Sequence, residues 1–116
     1  MSKQYLTLPF PPSGLNPNKR LHWAVKAKLA KAYKKECFLL AKEAGLKIEH
    51  NGTIRVLIEF TKPDRRKRDD DNIIAAFKSG RDGVAQALGV DDNWFSVAYS
   101  VKKEPTPYGN VLLKFE

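Results

Sequence analysis

Soft metal ligands are nearly missing from this 116-residue chain, which has one cysteine and two histidines. Cys37 alone cannot form an intramolecular disulfide, and it leaves no basis for a cysteine-based zinc centre. His22 and His50 are isolated and lack the spacing of a metal-binding pair, so both read as surface residues. Long apolar runs are absent too. No stretch is long enough to span a bilayer, and the opening "MSKQYLTLPFPPS" has no signal-peptide core, so the expectation is a cytoplasmic protein with no membrane partner. Acid is scarce overall: 13 Asp and Glu face 21 Lys and Arg, a formal charge of +8. Such a surplus favours a polyanionic partner, nucleic acid before an acidic membrane, because phosphate binding releases condensed counterions.

What is present describes one folded domain, residues 1–116, without internal repeats or low-complexity segments. "QYLTL" alternates, predicting a strand over 4–8, and the prolines at 9, 11 and 12 then impose an irregular loop. From Trp23 to Ala44, Leu29, Tyr33, Cys37, Leu40 and Ala44 recur at helical spacing, and Gly45 is the natural stop. Cys37 reads as a small buried residue of that helix. Ile54, Val56, Ile58 and Phe60 alternate with Arg55 and Glu59, predicting a strand over 53–61. A second helix is expected over 72–88, with Gly80 and Gly83 weakening its middle and Gly89 ending it. "FSVAYSVKK" and "NVLLKFE" around "EPTPYG" read as a terminal hairpin. The expected class is α+β, a mixed sheet with two main helices in the order β-α-β-α-β-β.

Against this basic background, "RKRDDDN" at 66–72 sets three adjacent acids behind a run of bases. Like charges side by side repel, so the cluster needs a positive neighbour, a metal ion or water. Asp69 and Asp71 share a face if they close an extended segment, but diverge by about 200° within a helix. Capping of the following helix by Asp71 or Asn72 accounts for one acid and not for three. A second pair, Asp91 and Asp92, can converge with the first only if the chain returns to the same end of the sheet. With so little histidine and cysteine, oxygen ligands suit Mg²⁺, with Mn²⁺ possible. Such an ion beside phosphate-holding bases is equipment for phosphodiester hydrolysis.

The stretch "PDRRKRDDDN" (63–72), the later "LGVDDN" (88–93) and the opening "LPFPPSGLN" together resemble the RusA family of Holliday-junction resolvases, many of them carried by phages and prophages. The resemblance spans nearly the whole chain in order. It implies a RusA-like homodimer, an Mg²⁺-dependent endodeoxyribonuclease that resolves four-way junction DNA by paired symmetric nicks, leaving 5′-phosphate ends, in DNA recombination and repair. The family's Asp-x-Asp-Asn motif falls on Asp69, Asp71 and Asn72, its third carboxylate on Asp92, with Asp91 as support. The family's lysine four residues after the second motif acid is replaced here by Ala75. Lys78 lies seven residues after Asp71, which returns it to within about 20° of the same helical face. It is the candidate substitute, reaching back toward the acids; the alternative is a solvated helix lysine.

The expected DNA contacts are Arg65, Arg66, Lys67 and Arg68 beside the acids, Lys19 and Arg20 in the proline-rich loop, and Lys28 and Lys31 on the first helix with Lys35. Each also fits a solvated charge, and an alternative reading of the arginines is that some only screen the acids. Trp23 reads chiefly as a packing anchor, and otherwise as a stacking surface for an unpaired base. Trp94 and Phe95 are expected to begin a strand that packs on the second helix. Two other functions stay open: a non-catalytic branched-DNA-binding module, and a less selective metal-dependent nuclease. A purely structural reading makes the acid run a capped, solvated turn.

Overall fold

The computed structural model describes residues 4–116. Helix α1 spans Trp23–Ala44 as its periodicity predicts, and it buries Tyr33, Cys37 and Ala41, one residue per turn, against a sheet. His22 caps it, Nδ1 accepting from the Ala24 N–H at 3.1 Å. Gly45 ends it in the left-handed conformation (φ 65°), with its N–H on the Lys42 carbonyl.

Four strands, β1 (Gln4–Leu8), β2 (Ile54–Thr61), β3 (Phe95–Val101) and β4 (Asn110–Phe115), form one mixed sheet in the order β1-β4-β2-β3. β3 is parallel to β2, with Ile58 opposite Tyr99, whereas β4 runs antiparallel between β1 and β2, with Leu113 opposite both Leu6 and Ile58. The expected terminal hairpin is therefore not formed. The helical crossover after β2 lays β3 parallel along one side of that strand, and β4 takes the other. Residues 102–109 carry the chain across the end of β2, where Lys102 N–H donates to the Phe60 carbonyl (2.9 Å) and Thr106 N–H to that of Lys62 (3.1 Å). Gly109 closes this passage at φ 64°, so near β2 that a Cβ would stand 2.5 Å from the Thr61 oxygen.

The expected helix over 72–88 is two helices, α2 (Asp70–Ala76) and α3 (Lys78–Leu88), joined at Phe77. Phe77 stays near helical geometry (φ −84°, ψ −7°), and its buried ring meets Phe60 and Tyr33 edge-on at 5.5 and 6.3 Å. Gly80 and Gly83 are contact points rather than weak points. A Cβ on Gly80 would strike the Tyr33 and Phe77 rings, and one on Gly83 would strike the α1 backbone at Lys34. Trp94 does not begin the strand: it ends a 3₁₀ turn, Asp92–Trp94, and its ring lies 4.9 Å from that of His50. Phe95 opens β3 and is buried, as expected.

The fold is α+β, with all three helices serving one mixed sheet. Ile54, Val56, Ile58, Phe60, Val111, Leu113 and Phe115 of the central strands join Tyr33, Cys37, Phe77 and Val84 in one buried core. The sheet positions that alternate with these carry Thr7, Arg55, Ser96, Ala98 and Ser100, all exposed. There Lys114 and Lys102 flank Glu59 at 2.7 and 3.7 Å, and the Lys114 contact holds the Glu59 carboxyl below its usual range. No helix among the described residues is long and apolar enough to cross a membrane.

Candidate functional site

Past β2 the chain is irregular from 62 to 69, so Asp69 and Asp71 do not share the face of a strand. Asp69 is itself the N-cap of α2, its carboxylate accepting from the Asp71 N–H at 2.9 Å. This corrects the expectation that Asp71 or Asn72 caps the helix. Asp70 and Asp71 occupy the first turn, where the aligned peptide dipoles favour negative charge, and all three acids are exposed.

The preceding arginines do not screen them. Arg68 forms two hydrogen bonds to Asp64, at 2.6 and 3.2 Å, with its guanidinium 5.8 Å from the centre of the Phe10 ring. Its side chain is 18% exposed, so this expected DNA contact is an anchor between the acid turn and the N-terminal loop. Arg66 donates its backbone N–H to Asp64 at 2.9 Å, and its exposed guanidinium stands 4.0 Å from the same carboxylate. Arg65 pairs with Glu104 at 3.0 Å at the surface, and Lys67 is exposed without an ion pair among the described residues. The Arg68 anchor draws "PFPPS" against the motif. Phe10, Pro11, Pro12, Arg68, Asn72 and Ile73 line part of a cavity of about 110 Å³, which places Asn72 in its wall.

Asp91 caps the 3₁₀ turn, accepting from the Asn93 N–H at 2.8 Å, with Asp92 next to it. Arg81 of α3 fixes this turn: it donates to the Asp92 carbonyl (3.1 Å) and to the Tyr99 hydroxyl (3.3 Å), over the Phe95 ring. Sequence reasoning missed Arg81 because its partners lie 11 and 18 residues away and share no local spacing with it. Asp91 and Asp92 also line an open groove of about 480 Å³ with Lys34, Lys78, Asp82 and Gln86. The Lys78 ammonium lies 3.7 Å from Asp82, one turn toward the C-terminus of α3. Lys78 therefore points away from Asp69–Asp71 and borders the groove of the second acid pair, contrary to the expected reach back.

Parallel pairing of β2 and β3 separates the two acid clusters. Ile54 opposes Phe95, so Asp91 and Asp92 sit where β2 begins, whereas Asp69–Asp71 follow its far end. Between them run α2 and α3, residues 70–88, with a break at Phe77. Asp92 thus does not join Asp69 and Asp71 within one copy. Among the described residues no group of three His, Cys, Asp or Glu side chains is placed to hold a metal ion. Lys19, Arg20, Lys28 and Lys31 are all exposed on the proline-rich loop and α1.

No family model matches the chain. A protein of Xylella fastidiosa (strain Temecula1 / ATCC 700964) bearing the name "Uncharacterized protein" is 38% identical over 113 residues, spanning 95% of this chain and 74% of its own. This chain belongs to the same family. The relative's name states no activity, so the kinship carries a shared fold and no chemistry.

Proposed function

We propose that the protein is a divalent-metal-dependent endonuclease acting on four-way junction DNA as a homodimer, on the RusA pattern. The observation that carries this reading is the state of the acid turn. Asp69, Asp70 and Asp71 stand exposed at a helix N-terminus, while the neighbouring Arg65 and Arg68 are engaged by Glu104 and Asp64. Three adjacent carboxylates with no ion pair among the described residues repel one another, and a hard cation relieves that repulsion.

Asp69 and Asp71 would hold Mg²⁺ as a carboxylate pair, a donor set that suits an ion keeping several waters and taking phosphate oxygens from its substrate. Bound there, the ion supplies an activated water and a counter-charge for the phosphate. Lys67 and Arg66, both exposed beside the turn, would bind the neighbouring phosphates. Paired nicks on symmetry-related strands require two sites, hence a twofold dimer. Only a second copy can supply Asp92 to this turn, because its own helices hold it at the far end. Separation of the carboxylates within one copy, with Ala75 at the lysine position, favours the second reading: a branched-DNA-binding module without cleavage.

The deciding experiment incubates the full chain with an end-labelled four-way junction, with and without Mg²⁺, beside Asp71→Asn and Ala75→Lys. Paired nicks that need Mg²⁺, disappear in Asp71→Asn and quicken in Ala75→Lys are expected. A junction bound but never cut would establish the second reading. Equal cutting of linear duplex would reduce the protein to a less selective nuclease.

A further inference from the structure

The first acidic residue in the chain is Glu36, and residues 19–35 hold seven lysines or arginines with no acid among them. Apart from Lys26, which donates to the Asn16 carbonyl at 3.1 Å, these bases are exposed. None is in an ion pair with a described residue. Trp23 stands at the head of this stretch. It is 76% exposed, with the His22 ring tilted 31° beside it at 5.5 Å and Leu21 and Val25 also open to solvent. The expected packing anchor is therefore a surface residue. Lys34, eleven residues on, returns to within about 20° of Trp23 around the helix, so cationic and aromatic groups share one side of α1.

We infer that Trp23, with His22, is a stacking platform for an unpaired nucleobase whose flanking phosphates are held by the loop bases Lys19 and Arg20 and by the lysines of α1. This rests on the nucleic-acid-directed part of the proposed function and is independent of cleavage. A large indole in water loses its hydration cost when a flat apolar partner covers it, and a base offers such a face with phosphates attached. Duplex DNA does not, because its bases are already stacked. An anionic membrane fits less well, since interfacial helices present a long apolar stripe to lipid. The stripe of α1, with Tyr33, Cys37 and Ala41, is turned into the core, and the large apolar residues left outside are Leu21, Trp23 and Val25 at the first turn and its lead-in and, sixteen residues beyond Trp23, Leu39 alone. The platform thus selects the strand exchange point, bubble or single-stranded arm of a branched substrate.

The test is a fluorescence titration of the full chain, carrying Trp94→Phe so that Trp23 alone reports, with short oligo-dT in EDTA. Without a divalent ion no cleavage intervenes, so failure here and failure of the nuclease reading are separate results. Salt-sensitive quenching is expected, absent with a blunt duplex of equal length. By direct binding, Trp23→Ala should weaken oligo-dT affinity roughly 5- to 150-fold, the worth of one stacked base, with Trp23→Phe restoring most of it. Circular dichroism should match the parent, since Trp23 packs in no core. Unchanged affinity in Trp23→Ala, or equal quenching by duplex, overturns the inference. So does quenching by phosphatidylglycerol vesicles alone, or sedimentation showing that Trp23 serves only to join two copies.

Discussion

Gly83→Ala separates two opposed physical arguments about α3. Helix propensity alone makes the substitution favourable by about 0.5–1 kcal/mol, because alanine surrenders less backbone freedom than glycine. Packing reverses the sign. A Cβ at 83 would overlap the Lys34 carbonyl oxygen and stand 3.2 Å from the Phe38 nitrogen, and both are backbone atoms of α1 that no rotamer change can move. The helices must part instead. An opening of about 0.5–1 Å forfeits a quarter to a half of the dispersion energy of each atom pair along the seam, a seam that includes the fully buried Tyr33, Cys37 and Val84. Overpacking of this kind costs about 1–3 kcal/mol net of the propensity gain. Thermal unfolding followed by circular dichroism should show Tm falling by roughly 3–6 °C for each kcal/mol in a chain of this size. A Tm equal to or above that of the parent would refute the close approach of α1 and α3.

Cys37 has no exposed surface, and burial pushes its thiol up to about 12, so a disulfide-exchange reagent should leave it unmodified in the folded protein and label it fully in denaturant. Fast native labelling would contradict its place in the core. Hydrogen bonds from Arg68, and then from the Arg66 N–H, hold the Asp64 carboxyl at about 2 instead of the ordinary 3.8. The folded-state value is depressed, so the contribution of this pair is complete above the ordinary value and is lost as pH falls toward 2. A carboxyl titration by NMR should place Asp64 in that window and return it to the ordinary range in Arg68→Ala. An unshifted Asp64 in the parent would dissolve the proposed anchor.

Much of the fold was legible locally. The 4–8 and 54–61 strands, the whole of α1 and both glycine stops follow from alternation, helical spacing and left-handed backbone, each written within a few residues. What failed was partner choice. β3 and β4 alternate as hairpin strands do, yet each pairs with β2, because the parallel crossover commits one side of that strand and leaves the other for β4. Gly80 and Gly83 looked like flaws in a helix, since nothing in their neighbourhood tells of the α1 backbone against them. The site divides in the same way. Local spacing correctly put acids at a helix entrance but misjudged the cap by two to three residues, and it had no means of seeing Arg68 turn to Asp64 and Phe10.

The sequence by itself determined the charge, the want of soft metal ligands, the strands, helix α1 and the two acid pairs, because these depend on residues within a turn or two of each other. Only the tertiary structure decided that the pairs lie at opposite ends of β2 and β3, that Lys78 borders the second pair, and that Trp23 is left in solvent. Each of these is a matter of strand direction and helix docking, set by which buried faces fit together across the chain.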